Sequence, residues 1–245
     1  MAHAAGAPAA APALEIRDLQ AWYGESHILH GVSLAVPRGQ VVTLLGRNGA
    51  GRTTTLRAVL GLVGARRGSI RVHGTETIAL PPHRIAHLGI GYCPEERGIF
   101  ASLSTEENLR LPPRLARGRG PAMGEAELYA MFPNLAERRA SPGTRLSGGE
   151  QQMLAVARIL RTGADVLLLD EISEGLAPVI VQALARTITA LKRQGFTILM
   201  VEQNFRFAAP LADHFHVMEH GRIVASFPAS ELAARQGLLD ELLSV

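Results

Sequence analysis

The chain has 245 residues, 25 basic against 22 acidic, a formal net charge of +3 and an apolar fraction of 47%. That balance excludes a largely disordered chain, and so small a net charge gives no ground for a nucleic-acid partner. The single cysteine, Cys93, excludes an internal disulfide and any multi-cysteine zinc centre, and is expected as a small buried apolar side chain.

The basic residues are skewed: Lys192 is the one lysine, and the other 24 are arginine. Residues 1–13 are rich in Ala and Pro and read as a disordered tail, without the basic start and long apolar stretch of a signal peptide. No apolar run approaches the roughly 20 residues of a membrane-spanning helix.

In chain order, residues 14–22 and 32–36 read as short strands between turn residues. Residues 41–45 (VVTLL) form a continuous apolar run ending at Gly46, the pattern of a strand buried on both faces. A helix is predicted over 53–62, a strand over 68–74 and a short helix over 82–88. From 103 to 162 the pattern is mostly helical, beginning at Thr105-Glu106-Glu107 with acidic residues at the positive helix end. An arginine-rich, proline-broken linker occupies 112–121, and a second helical piece 124–139.

Alternation then returns: strand 166–170, helix 179–193, strand 197–202, a short helix near 207–212, and strands 214–219 and 222–226. Ile180, Leu184, Ile188 and Leu191 recur at helical spacing, so one face of their helix packs on a sheet. Strands alternating with helices imply an α/β fold with a mostly parallel sheet, here interrupted by an inserted helical subdomain at about 103–163.

Three motifs carry chemistry. Gly46-Arg47-Asn48-Gly49-Ala50-Gly51-Arg52-Thr53-Thr54 lies between a buried strand and a helix, the context of a P-loop. Its glycines let backbone N–H groups form a nest for phosphate oxygens, and the helix N-terminus adds further donors. Thr53 is placed to put its hydroxyl on Mg²⁺ and Thr54 to contact phosphate. The motif's lysine is replaced by Arg52, which keeps the charge in a bulkier, planar group. The apolar strand Val166-Leu167-Leu168-Leu169 ends in Asp170 and Glu171. Asp170 suits Mg²⁺ at the mouth of the P-loop, and Glu171 suits polarisation of an attacking water. In Leu146-Ser147-Gly148-Gly149-Glu150-Gln151-Gln152, Ser147 can cap a helix whose glycines expose N–H groups. A cap alone would also explain those residues.

These motifs, in this order, resemble the nucleotide-binding domain of an ATP-binding-cassette (ABC) protein over about 14–234. The resemblance implies a P-loop NTPase core of mostly parallel sheet, an antiparallel β subdomain and the inserted helical subdomain, within a domain spanning 14–245. The stretches 92–100 (YCPEERGIF), 106–109 (EENL), 175–178 (GLAP) and 201–204 (VEQN) resemble the smaller ATPase subunits of branched-chain amino-acid importers. Related importers of amides and other small organic acids share them.

The resemblance implies ATP and Mg²⁺ as cofactors, with Tyr23 stacking on adenine, Glu95 near Mg²⁺ and the membrane subunit, and Gln203 at a switch position usually held by histidine. It implies a second cassette ATPase paired head to tail, as a homo- or heterodimer, with Ser147, Gly148 and Gly149 of one copy capping ATP held by the other. Residues 173–178 would join the two sites. Further partners would be transmembrane permease subunits and, indirectly, a periplasmic or extracellular solute-binding protein, with the chain peripheral on the cytoplasmic side of the plasma membrane. Two alternatives stand beside this reading: a nucleotide-binding subunit whose hydrolysis Arg52 weakens, and a soluble cassette ATPase outside transport.

Overall fold

The computed structural model describes residues 11–115 and 122–243. Most of the tail, part of the arginine-rich linker and the last two residues lie outside them. Ala13, which composition places in the tail, is buried; it donates to the Val36 carbonyl and accepts from the His73 amide, so the ordered sheet begins there.

The strands are β1 (Leu14–Tyr23), β2 (Ser26–Val36), β3 (Val41–Gly46), β4 (Ala65–Val72), β5 (Thr75–Glu76), β6 (Ile90–Cys93), β7 (Val166–Asp170), β8 (Thr197–Glu202), β9 (His214–Glu219) and β10 (Arg222–Pro228). The helices are α1 (Arg52–Val59), α2 (Pro82–Ala86), α3 (Thr105–Arg110), α4 (Glu125–Met131), α5 (Pro133–Glu137), α6 (Gly148–Arg161), α7 (Pro178–Arg193), α8 (Phe205–Ala208) and α9 (Gln236–Leu243). Two sheets form: an antiparallel one ordered β2-β1-β4-β5, and a six-stranded one ordered β10-β9-β3-β8-β7-β6. In the larger sheet β6, β7, β8, β3 and β9 run parallel, and β10 closes one edge antiparallel to β9.

The continuous apolar strands are explained by what covers their two faces. Val41, Leu45, Leu167, Leu169, Ile198 and Met200 point into a core shared with α6 and α7. Their sequence neighbours Val42, Leu44, Val166, Leu168, Leu199 and Val201 point the other way, into a core shared with α1 and the antiparallel sheet. Period-two alternation is present, but both phases are buried. Each leucine so placed contributes roughly 1.5–3 kcal/mol.

In α7 the buried face is Leu184, Thr187, Ile188 and Leu191, close to the predicted stripe; Ile180 is only partly covered. The helical block 103–163 is α3 to α6 with a 3-10 turn at Gly143–Arg145. Cys93 is buried and unpaired, and burial pushes its thiol up to about 12, so it packs as an inert apolar residue. No described helix is long and apolar enough to cross a membrane.

Candidate active site

β3 delivers the glycine-rich loop to the C-terminal edge of the parallel sheet. Gly46 must lack a side chain, because a Cβ there would run into the Met218 carbonyl oxygen of β9. Gly49 and Gly51 take φ values of +81° and +105°, which lets the loop curl back before α1 starts. No side chain caps the first turn of α1, so its amides remain donors. The loop opens on a cavity of about 500 Å³ lined by residues 48–54, Ile28, Glu95, Glu171, Glu174 and Gln203.

β7 carries Asp170 to the same edge. Asp170 is 1% exposed; its Oδ1 accepts from Thr53 Oγ1 at 3.0 Å and its Oδ2 from the Tyr92 hydroxyl at 3.0 Å. Burial raises the Asp170 carboxyl above the usual carboxylate range, and the bonds from Thr53 and Tyr92 pull it back down.

Glu171 follows with φ +47°, a left-handed conformation that turns its side chain away from the strand. Its Oε1 accepts from Arg52 Nη2 at 2.6 Å, and the same nitrogen donates to Asn48 Oδ1 at 3.1 Å. Burial raises the Glu171 carboxyl too, against the opposing effect of the Arg52 charge. Arg52 is 4% exposed, yet its Nη1 is buried without a hydrogen-bond partner. A buried guanidinium N–H with no acceptor is costly, and it sits beside the uncapped first turn of α1, an arrangement that fits an anionic group such as phosphate.

The other predicted residues divide. Glu95 and Gln203 are exposed and line the cavity; Arg47 and Gly46 frame the loop without lining it. Tyr23 is 39% exposed at the end of β1, outside the cavity lining, with its hydroxyl beside Arg57. Ser147, Gly148 and Gly149 also stand apart from this cavity. Ser147 caps α6 in a reciprocal box with Glu150: Ser147 Oγ accepts from the Glu150 amide at 3.3 Å, and the Ser147 amide donates to Glu150 Oε2 at 2.7 Å. Gly149 lies so close to α7 that a Cβ would meet Ile180 at 2.8 Å.

Two residues with no predicted role enter the site: Tyr92 through Asp170, and Glu202, buried and bonded to Ser173 of the predicted joining loop. The phenol's place at the end of a strand neighbouring β7 could not be read from spacing.

Thr53 and Asp170 offer hard oxygen ligands side by side. Among the described residues no three His, Cys, Asp or Glu converge into a metal site made by protein alone. A hydroxyl and one carboxylate fit Mg²⁺, which commonly takes few protein ligands and completes its shell with water and substrate phosphates.

Residues 29–174 match the family model described as ABC transporter. The chain is 39% identical to the high-affinity branched-chain amino acid transport ATP-binding protein BraG of Pseudomonas aeruginosa, covering 94% of this chain and 99% of that one. It is 34% identical to the lipopolysaccharide export system ATP-binding protein LptB of Haemophilus influenzae, covering 87% and 89%. Among solved structures, an ATP binding subunit of an ABC transporter superposes with a TM-score of 0.76 at 29% identity, covering 95% and 99%. With its loop, its paired carboxylates and its capped glycine helix on this scaffold, the chain belongs to the ABC transporter family, as an ATP-hydrolysing subunit.

Proposed function

We propose that this chain energises import of branched-chain or closely related amino acids. On this reading it works as one of two cassettes on the cytoplasmic face of transmembrane permease subunits, supplied by a solute-binding protein outside. The observation that carries the solute class is the end-to-end likeness to BraG; the likeness to LptB, named for export, is lower. Uptake of labelled leucine by cells with and without the gene tests it: loss of uptake restored by the gene supports import, and unchanged uptake of leucine, isoleucine and valine overturns it.

In the proposed cycle the amides of residues 48–54 and the Arg52 guanidinium bind the phosphates of ATP. Thr53 and Asp170 would hold Mg²⁺, with Glu95 alongside, and the ion supplies positive charge where negative charge accumulates on the phosphates. Glu171 orients the attacking water and accepts its proton while the bond to ADP breaks. The Gln203 amide bonds the outer phosphate, but it takes up no proton at neutral pH. Tyr23 stacks on adenine after leaving Arg57. Ser147, Gly148 and Gly149 present the α6 amides to the partner's nucleotide, the role that explains a second glycine-opened helix end remote from the first.

The ion pair between Arg52 and Glu171 supports a further element: turnover is attenuated. The arginine competes for the carboxylate that should hold water, through a charge-assisted hydrogen bond from Nη2.

A further inference from the structure

Glu202 is the last residue of β8 and is 1% exposed. β8 lies at the centre of the larger sheet, with Leu45 of β3 beside Glu202 on one flank and Asp170 beside Val201 on the other. The next residue, Gln203, lines the nucleotide cavity. The carboxylate accepts twice from one residue: Ser173 Oγ donates to Oε2 at 2.9 Å, and the Ser173 amide donates to Oε1 at 3.2 Å. Ser173 is itself 3% exposed and opens the loop leading from Glu171 to α7. Burial pushes the Glu202 carboxyl up to about 8 against those two bonds, with Glu171 adding repulsion and Arg52 attraction.

A carboxyl group is an expensive way to hold one serine, because its desolvation opposes the two hydrogen bonds. What it provides is a two-point clamp that fixes both position and rotation of the loop. One end of the clamp belongs to the strand that carries Gln203. The other lies two residues after Glu171, whose own left-handed backbone needs support from its surroundings.

We infer that Glu202 is a positioning residue for hydrolysis: through Ser173 it locks the Glu171 carboxylate and the loop to α7 in register with Gln203. This rests on the ATPase reading above. Removing the clamp leaves the phosphate nest intact and loosens the water-activating residue, so it acts on kcat and spares ATP binding.

The test is steady-state ATPase with fluorescent-ATP binding on the full chain for Glu202→Ala, Glu202→Gln, Ser173→Ala and the double alanine variant. A displaced catalytic group costs rate steeply, so Glu202→Ala and Ser173→Ala should each lower kcat about tenfold or more, with nucleotide affinity nearly unchanged. The double variant should lose no more than either single one. Glu202→Gln keeps an acceptor for the amide and a donor for the hydroxyl oxygen, and it should restore most of the rate. Hydrogen exchange over 172–178 reads the clamp without turnover: faster in Glu202→Ala, unchanged in Glu202→Gln. Additive losses, weakened binding at unchanged kcat, or unaltered exchange would overturn the inference. An inactive wild type with the predicted exchange pattern would instead count against the ATPase reading alone.

Discussion

Arg52 and Glu171, 119 residues apart in sequence, meet in an ion pair of 2.6 Å at the mouth of the nucleotide cavity. Their side chains are 3% and 11% exposed, so the pair is shielded from solvent. The arginine at the end of the phosphate loop and the proposed water-activating carboxylate are therefore each other's partners. In the proposed cycle, phosphate and water displace that contact before either residue acts.

Replacing Glu171 by glutamine removes the proton acceptor and the ionic half of the pair together. Turnover should fall about 100-fold or more, as for loss of a general base. Arg52 is then free for phosphate, and the ATP-bound pair of cassettes should accumulate. Light scattering in excess ATP should report a doubled mass for Glu171→Gln; a monomer under those conditions would sink the head-to-tail sandwich, at least for two copies of this chain.

Tyr92→Phe removes one of two hydrogen bonds that stabilise ionised Asp170. Burial already raises that carboxyl, so its pKa should climb further when the bond is lost. The ionised form is the one that suits Mg²⁺, and the acid limb of the kcat/KM profile should move to higher pH. The same profile in the variant and the wild type would show that the phenol does not tune Asp170.

His216 gives a pH dependence of opposite origin. Burial, then His214, holds its imidazole down at about 4, and its Nδ1 is buried without a partner. The folded chain resists protonation that the unfolded chain accepts near 6.5. Stability from this group is therefore complete above pH 6.5 and lost as pH falls towards 4, by about 3 kcal/mol at most. Urea unfolding at pH 7.5 and 5 should show a smaller loss in His216→Phe than in the wild type. Equal losses would assign the acid sensitivity elsewhere.

The elements legible in the sequence were those whose signal is local. The apolar runs of β3, β7 and β8 were readable because both faces are covered, and α7 because its stripe repeats over about three turns. β6 has only four residues with Gly91 inside, too short for a pattern. β2 is twice the length suggested by 32–36, because its first half carries exposed and half-covered residues on a bulged pairing with β1. The glycine loop and the carboxylate pair could be found by motif. The contacts Arg52–Glu171, Tyr92–Asp170 and Ser173–Glu202 could not, since each joins two strand or loop ends that only the sheet order brings together.

The Arg52–Glu171 pair as an attenuator is tested most directly by steady-state ATPase of the wild type beside Arg52→Lys. A compact ammonium should release Glu171 and meet the phosphates as a point charge, raising kcat about tenfold at similar nucleotide affinity. Equal rates in the two proteins would contradict the attenuating role of Arg52.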